Sequence, residues 1–400
     1  MRLLAFSLGF CVIAGCITAV RAADAPAADV RAVVGDARQL QSLTIFDGSS
    51  DSTLHLKGSD ARQQLIVSGS FAGGFERDLT HRAHYDVSPP GVVEVSPDGL
   101  VTAKGDGSAN IVVKADTVVS ATLPVVVERF STEMPVNFPN RIVPIFTKLT
   151  CNSGGCHGKL SGQNGFKLSL LGFEPAEDYE HLVKEARGRR LFPAAPERSL
   201  LLLKATGALP HGGGKRLEPE SDDYRLLVRW ITQGMPYGKS DAPTVGQIEV
   251  YPSRRVMDRG GQQQLAVTAR YTDGSAEDVT RAALYQVNDT EMAGVGGDGL
   301  VQIQQQPGDV AVMVRYQGKV AVCRATVPLG ASTEHLPVAR NFIDELVFKK
   351  LRDVGMPASE VCSDATFLRR VTIDIAGRLP TPAGSLPGCI RRCASALRGR

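Results

Sequence analysis

Two stretches of this sequence are copies of one unit: QQLIVSGSFAGGFERDLTHRAHYDVSPPGVVEVSPDGLV at residues 63–101 and QQLAVTARYTDGSAEDVTRAALYQVNDTEMAGVGGDGLV at residues 263–301. Aligned without a gap at a shift of 200 residues, they share fifteen identities over 39 positions. Chance alignment of unrelated segments gives only a few identities. A long self-similar stretch of this kind indicates an internal duplication, which sets the architecture of the whole chain.

Each copy is predicted to fold as short β-strands. Runs of β-branched residues such as Ile111-Val112-Val113 alternate with clusters of Gly, Asp and Pro. Asp98-Gly99 predicts a tight hairpin turn, because glycine reaches the positive φ that such a turn requires. Several short strands with frequent turns predict a small antiparallel β-sandwich in each copy, at residues 43–129 and 245–330. The repeated Asp78, Thr80 and Tyr85 are interpreted as turn and corner residues in preference to a ligand site.

The repeat resembles the group 2 bacterial immunoglobulin-like (Ig-like) domain. The second copy keeps the family strings Tyr271-Thr272-Asp273-Gly274-Ser275 and Asp278-Val279-Thr280, and both copies keep the late Asp-Gly-Leu-Val turn. The first copy has Phe71-Ala72-Gly73-Gly74 instead and departs from the pattern there. The resemblance implies spacing or adhesion, with cell-surface or polysaccharide contacts through these domains.

Composition and charge exclude some classes of protein. The chain has 400 residues, with 43% hydrophobic and 22% charged residues, which is typical of a folded protein with several domains. Its net charge is only +3, and no basic helix or aromatic–basic strip stands out, so nucleic acid is not an expected partner.

The N-terminus predicts export. A positive residue, Arg2, precedes an uncharged apolar run from Leu3 to Val20, which is typical of a secretory signal peptide over residues 1–22, followed by a linker over residues 23–42. Ile13-Ala14-Gly15-Cys16 also resembles a bacterial lipoprotein box, and its use would anchor the protein to lipid through Cys16. The expected location is the periplasm or the cell surface.

Between the two copies, residues 130–240 change character. Helical pieces bounded by proline replace strands, and CNSGGCH stands at residues 151–157. Two cysteines followed at once by histidine are the arrangement for covalent haem, in which the thiols bond the vinyl groups and the imidazole binds the iron. The usual spacing has two residues between the cysteines, and this chain has four. The alternatives are a disulfide between Cys151 and Cys156, or a zinc site that lacks a second pair of ligands at metal spacing.

This segment resembles the planctomycete-type cytochrome-c-like domain over residues 140–238. The resemblance rests on CNSGGCHG (151–158), NGFKLSL (164–170), SLLL (199–202), PHGGG (210–214) and the helix that holds Tyr224 and Trp230-Ile231. It implies an all-α class I fold, with Cys151 and Cys156 bonded to haem c and His157 as the proximal iron ligand.

The sixth iron ligand stays open among several candidates. His211, in the glycine-rich PHGGG loop, ranks first as the distal ligand. An empty or water-bound site ranks second, and Met235, which follows the last helix, ranks last. His181 is expected to face solvent on a helix over residues 177–187. Two histidine ligands would favour a low reduction potential.

The C-terminal part predicts two amphipathic helices, at residues 341–351 and 364–381. They resemble the start of a planctomycete domain of unknown function, here a helical fragment at residues 335–382. The remaining residues, 383–400, look unrelated and are expected to form an unstructured tail, which suggests a truncated or frameshifted chain. Cys389 and Cys393 in this tail are given no role.

The expected fold class is therefore multidomain, with two antiparallel Ig-like β-sandwiches flanking an all-α class I cytochrome-c-like domain and a short C-terminal helical fragment. The expected function is haem binding and electron transfer to an unknown redox partner, as a carrier and not as a catalyst. Two alternatives stay open: a structural or adhesive surface protein that holds a disulfide instead of haem, and an accessory part of a larger enzyme.

Overall fold

A computed structural model describes residues 40–381, apart from residues 50, 73–74 and 116–118. The predicted signal peptide with Cys16, most of the linker, and the tail with Cys389 and Cys393 lie outside the described residues. Within the described part of the chain, the helices are all too short or too polar to cross a bilayer.

Each repeat forms a β-sandwich of ten strands. In the first copy, β10 lies between β9 and β2, β4 lies between β1 and β5, and β8 lies between β3 and β7. The strands are β1 (Leu40–Phe46), β2 (Leu54–Lys57), β3 (Arg62–Gln64), β4 (Ile66–Phe71), β5 (Phe75–Asp78), β6 (His84–Ser88), β7 (Val93–Val95), β8 (Leu100–Ala103), β9 (Gly107–Ala115) and β10 (Val119–Glu128).

The second copy repeats this topology strand for strand. Its strands are β11 (Val245–Tyr251), β12 (Arg254–Val256), β13 (Gln262–Gln264), β14 (Ala266–Tyr271), β15 (Ala276–Asp278), β16 (Leu284–Val287), β17 (Ala293–Val295), β18 (Leu300–Ile303), β19 (Gly308–Tyr316) and β20 (Lys319–Val327). The pairing is antiparallel with one exception in each copy, where β10 pairs with β2 and β20 pairs with β12 in parallel. The prediction of purely antiparallel sandwiches missed these two pairs.

Alternating side chains fill a separate core in each sandwich. Along β9, every second residue from Ala109 to Ala115 is buried, which is the period expected of a strand with one face on the core. Equivalent residues occupy equivalent places in the two cores, for example Leu65 and Leu265, which are both fully buried. Gly99 has a φ of 79°, as the predicted hairpin turn requires.

The two sandwiches pack against each other through equivalent residues. The Asp278 carboxylate accepts hydrogen bonds from the Gln64 backbone N–H at 3.0 Å and the Gln63 side-chain amide at 3.2 Å. Asp78 accepts the same two bonds from Gln264 and Gln263 in return. Because each copy offers the other the same groups, the contact has the reciprocity of a two-fold symmetric dimer.

The aromatic rings of Phe46 and Tyr251 also meet at this contact. They stack with centroids 3.8 Å apart, and each is the last residue of the first strand of its copy. Equivalent residues that touch each other lie on the pseudo-two-fold axis.

The segment between the sandwiches contradicts the predicted all-α class I cytochrome fold. The chain as a whole is mostly β-sheet, and this segment holds only short helices separated by loops. Its α-helices are α1 (Val143–Lys148), α2 (Pro175–Tyr179), α3 (Leu200–Ala205) and α4 (Asp222–Thr232).

The backbone gives the reason for that difference. Thr150, Leu171, Ala186 and Arg187 all have positive φ, so the chain turns where long helices would have to continue. The predicted helix over residues 177–187 ends early for this reason. Helix α4 matches its prediction, with the Ser221 hydroxyl accepting the Tyr224 N–H as the N-cap.

Ion pairs hold this segment to both sandwiches. The Asp60 carboxylate of the first copy accepts from Arg229 of α4 at 2.8 Å, and Arg62 pairs with Asp222 at 3.0 Å. Arg141 pairs with Glu277 of the second copy. The segment has its own apolar core, in which Phe138 and Trp230 are fully buried.

Two helices follow the second sandwich, as predicted: α5 (Phe342–Asp353) and α6 (Asp364–Ala376). The Asn341 and Ser363 side chains cap their N-termini, and α6 ends at Gly377, whose φ is 63°. Neither helix fully buries a residue, and apolar side chains such as Phe342, Leu346 and Ile375 are exposed.

Candidate functional site

The CNSGGCH stretch forms a compact loop directly after α1. Its ends are joined by a hydrogen bond from the His157 backbone N–H to the Cys151 carbonyl at 3.0 Å, and Gly158 N–H donates to Ser153 at 2.9 Å. A side chain at position 158 would overlap the Asn152 carbonyl, so glycine is required there. The loop therefore brings Cys151, Cys156 and His157 to one place despite the longer spacing.

The His157 imidazole has a fixed orientation. Its Nδ1 lies 2.9 Å from the Phe166 carbonyl oxygen. A carbonyl can only accept, so Nδ1 carries the proton and Nε2 keeps a free lone pair. Burial lowers the pKa of His157, which favours the neutral imidazole that binds metals. Phe166 belongs to the NGFKLSL string, but sequence reasoning assigned it no such role.

His211 is held in the same way within its glycine-rich loop. Its Nδ1 donates to the Gly214 carbonyl at 2.9 Å, and the Gly214 N–H donates back to the His211 carbonyl at 2.9 Å. Again Nε2 is left with a free lone pair. Gly213 lies against the ring, since a Cβ at that position would stand 3.0 Å from Cε1 and 3.4 Å from Nε2.

The structure brings these two predicted histidines together. The ring centroids of His157 and His211 are 6.3 Å apart, and the ring planes differ by only 8°. The residues are 54 positions apart in sequence, on different loops. The two imidazoles are thus stacked, and each is anchored at Nδ1 by a backbone carbonyl, the kind of partner that orients a histidine when it binds a metal.

Cys151 and Cys156 are both free thiols and partly accessible, as is Cys362, whereas Cys323 is buried. Burial, with a smaller contribution from Cys156, raises the pKa of Cys151 to about 11. The protonated thiol is therefore its form near neutral pH.

The other candidate ligands lie elsewhere. The Met235 side chain packs against the apolar core of the helical segment, and its carbonyl accepts the Tyr179 hydroxyl at 2.6 Å. His181 is half-buried instead of facing solvent, and its Nδ1 lies 2.7 Å from a Glu185 carboxylate oxygen. Neither residue pairs with His157.

Apolar side chains near the two histidines are exposed. Leu160, three residues after His157, is 90% exposed, and Leu209, two residues before His211, is 38% exposed. Leu170 lies beside Gly154 of the cysteine loop. Exposed apolar surface around a site marks a place where an apolar ligand can gain contacts.

A cavity of about 290 Å³ lies elsewhere, where the helical segment meets both sandwiches. Its charged walls are already paired, with Lys148 on Asp223 at 3.0 Å and Arg281 on Asp98 at 2.5 Å. It belongs to the interface that holds the parts of the chain together. Among the described residues, no cluster of three His, Cys, Asp or Glu side chains is placed to hold a bare metal ion.

The C-terminal helices match a known family of sequences. The family described as PSCyt2, protein of unknown function (DUF1549), matches residues 342–385. This supports the predicted resemblance to a domain of unknown function and extends it three residues past the predicted end. A search of curated proteins gave no match.

The comparison with solved structures found S-layer proteins and Ig modules. The S-layer protein rSbsC(31-844) is 12% identical with a TM-score of 0.19, and the match covers 76% of this chain but only 30% of that one. Domains 5–6 of SbsC are 11% identical with a TM-score of 0.28, covering 73% and 98%. The Ig1-2 module of the Drosophila receptor tyrosine phosphatase DLAR is 7% identical with a TM-score of 0.15, covering 72% and 98%.

Proposed function

We propose that this chain is an exported surface protein that binds haem c covalently through Cys151 and Cys156, with His157 and His211 as the two iron ligands, and that it transfers electrons. The observation that carries the proposal is the parallel pair of imidazoles, both with a free Nε2. The proposal concerns this site and does not depend on a class I cytochrome fold.

The two imidazoles lie close enough together for His157 and His211 to hold one group between their loops. His157 and His211 have a centroid separation of 6.3 Å. A haem iron needs only two protein ligands, since the porphyrin supplies the other four, so the missing cluster of three ligands is no obstacle.

The neighbouring residues would bind and orient the group. The thiols of Cys151 and Cys156 are the form that adds to vinyl groups, and exposed apolar side chains such as Leu160 and Leu170 offer surface for a porphyrin. Haem supplies one-electron redox chemistry when bound, while the protein sets potential and access. Ligation by two histidines favours a lower potential than ligation by histidine and methionine.

The surface location is supported by the sequence and the sandwiches together. The predicted signal peptide directs export, and haem c is attached outside the cytoplasm in bacteria. The two Ig-like sandwiches offer exposed β-surface for contacts with the cell surface or with polysaccharide. The redox partner is proposed to be another exported protein.

Covalent attachment is tested by expression with a haem c maturation system. We expect the protein to stay coloured on a denaturing gel and to show a low-spin absorption spectrum. Cys151→Ala and Cys156→Ala should each weaken or abolish the stain. Cys362→Ala is the matched control, because the Cys362 thiol is also partly accessible but belongs to the part of the chain that follows the second sandwich. This variant should keep the haem stain.

Ligation by His211 is tested in the same material. His211→Ala should change the low-spin spectrum, while His181→Ala should not, because His181 pairs with Glu185. The proposal fails if the wild-type protein is colourless after maturation and peptide mass analysis finds Cys151 bonded to Cys156. That result would favour a structural surface protein instead.

A further inference from the structure

Arg190 is a buried cation in the helical segment. It is only 6% exposed, although arginine is rarely buried without a carboxylate partner. The nearest carboxylate oxygen, on Glu185, is 3.9 Å away, beyond hydrogen-bond distance. The guanidinium must therefore be stabilised by other groups.

Backbone carbonyls from two separate segments take that role. Nη1 donates to the His181 carbonyl at 2.7 Å and to the Glu185 carbonyl at 3.3 Å. Nη2 donates to the Gly165 carbonyl at 2.5 Å. The guanidinium also lies over the Phe166 ring, 4.7 Å from its centroid, in a cation–π contact. Arg190 thus links the turn at Gly165-Phe166 to His181 and Glu185, which lie at the end of the helical stretch that begins with α2.

The same turn orients His157. The Phe166 carbonyl accepts the Nδ1–H of His157 at 2.9 Å, and the Phe166 ring lies 4.6 Å from the imidazole, centroid to centroid. Phe166 is therefore held on one side by Arg190 and contacts His157 on the other. The Phe166 ring also packs against the apolar core of the segment, which includes Leu182 of the helical stretch, so Arg190 supplies the polar part of this attachment.

We infer that Arg190 is the positioning residue of His157: by fixing the Gly165-Phe166 turn, it keeps the proton of the imidazole on Nδ1 and leaves Nε2 free as a ligand. That the ligand is haem iron rests on the proposed function. The fixed tautomer does not, because it depends on this chain alone. Groups that orient a ligating histidine typically change metal affinity by about 10- to 100-fold when removed.

The tautomer is measured on the full chain produced without haem maturation. Nitrogen-15 NMR of the ring distinguishes Nδ1–H from Nε2–H, and His157→Gln assigns the signal. Arg190→Gln and Arg190→Lys are the test variants, since lysine keeps the charge but lacks the planar fork whose two nitrogens reach the carbonyls of separate segments. Arg189→Gln is the matched control, because Arg189 is the adjacent arginine and is exposed.

We expect the wild type and Arg189→Gln to hold the Nδ1–H tautomer. Both Arg190 variants should lower its ratio to Nε2–H by about threefold to tenfold, the range that one neutral hydrogen bond supplies. Should Arg190→Gln fail to fold, Phe166→Leu replaces it, because it keeps the carbonyl and loses the ring under the guanidinium. An unchanged tautomer in Arg190→Lys and Phe166→Leu overturns the inference.

The haem-loaded protein separates this inference from the proposed function. There, both Arg190 variants should weaken the low-spin spectrum while covalent attachment through the cysteines continues. If the tautomer responds as expected but haem never attaches, the positioning role stands and the proposed function fails. If haem attaches and the tautomer ignores Arg190, the reverse holds.

Discussion

The two sandwiches differ less in their internal bonds than in what surrounds them. In the first copy the Tyr85 hydroxyl donates to the Thr80 carbonyl at 2.8 Å, and in the second the Tyr285 hydroxyl donates to Thr280 at 2.7 Å. Each Asp then reaches across to the other copy. A duplicated sequence has thus built, within one chain, the contact that two identical subunits make in a symmetric dimer.

Burial breaks that symmetry. Asp278 is 7% exposed, whereas Asp78 is only half-buried, and residues of the helical segment such as Arg141 line the cavity beside Asp278. Position 81 also differs from position 281, with histidine in one copy and arginine in the other. The comparison teaches that equivalent residues of a duplicated domain are buried to different extents when a third part of the chain packs beside only one of them.

The largest expected effect is from Asp278→Ala. This change leaves four donors without their acceptor, from the backbone and side chains of Gln63, Gln64 and Thr280. Each unsatisfied buried donor is costly, and we expect the free energy of unfolding to fall by about 3–4 kcal/mol. Chemical denaturation followed by circular dichroism measures it.

Asp78→Ala is the matched change in the first copy. Since water can reach part of this site, we expect a smaller loss of about 2 kcal/mol. Equal losses of unfolding free energy in the two variants would contradict the prediction, because they would show that the deeper burial of Asp278 does not add to stability.

The second effect is on pH dependence. Burial raises the pKa of Asp278 from its ordinary 3.8 to about 6, against the opposing influence of its hydrogen bonds and of nearby Arg62. The folded protein therefore holds this proton more tightly than the unfolded chain does. Its contribution to stability is fully present below pH 3.8 and is lost as the pH rises through 6, by about 3 kcal/mol in all.

Asp278→Asn isolates this contribution, because asparagine does not titrate. We expect the difference in unfolding free energy between wild type and variant to grow in favour of the wild type as the pH is lowered from about 7.5 to about 4. Other carboxylates, such as Asp60 and Asp222, shift in the opposite direction but are common to both proteins. A difference independent of pH would contradict the prediction.

The third effect compares the two corner tyrosines. Tyr285→Phe removes the donor to a buried carbonyl, and we expect a loss of about 1–2 kcal/mol in unfolding free energy. Tyr85→Phe removes the same bond where the tyrosine is half-buried, and we expect about 0.5–1 kcal/mol. Thermal unfolding of both variants side by side checks the order, which would be wrong if Tyr85→Phe were the more damaging.

The two sandwiches were largely predictable from the sequence, because the alignment of the two copies shows which residues form the repeated unit. Strand positions, the Asp98-Gly99 turn and the buried alternation follow from local patterns that both copies share. The reciprocal contact through Asp78 and Asp278 was not predictable. Similarity at a fixed shift says that two residues are equivalent, and it carries no information on whether they touch.

For the helical segment, the sequence indicated the candidate site residues but not the fold. The CNSGGCH loop and the Pro-His-Gly-Gly-Gly loop both stood out, and the structure brings His157 and His211 together. The expected class I arrangement was wrong because residues with positive φ, such as Ala186 and Arg187, interrupt the helices. Alanine and arginine rarely adopt positive φ, so nothing in the sequence indicated these interruptions. Arg190 had no sequence signal, because its partners are backbone carbonyls.

The smallest expected effect comes from removing the difference between His81 of the first copy and Arg281 of the second. Arg281 pairs with Asp98 at 2.5 Å across the contact, while His81 reaches only the Gln264 side chain at 2.9 Å. His81→Arg should let the first copy form the equivalent pair with Asp298, and we expect a gain of about 0.5 kcal/mol in unfolding free energy, since the pair is partly exposed. Arg281→His should lose a similar amount. A double-mutant cycle of His81→Arg with Asp298→Asn measures the new pair directly, and a coupling energy of zero would mean that the two copies are not interchangeable at this position.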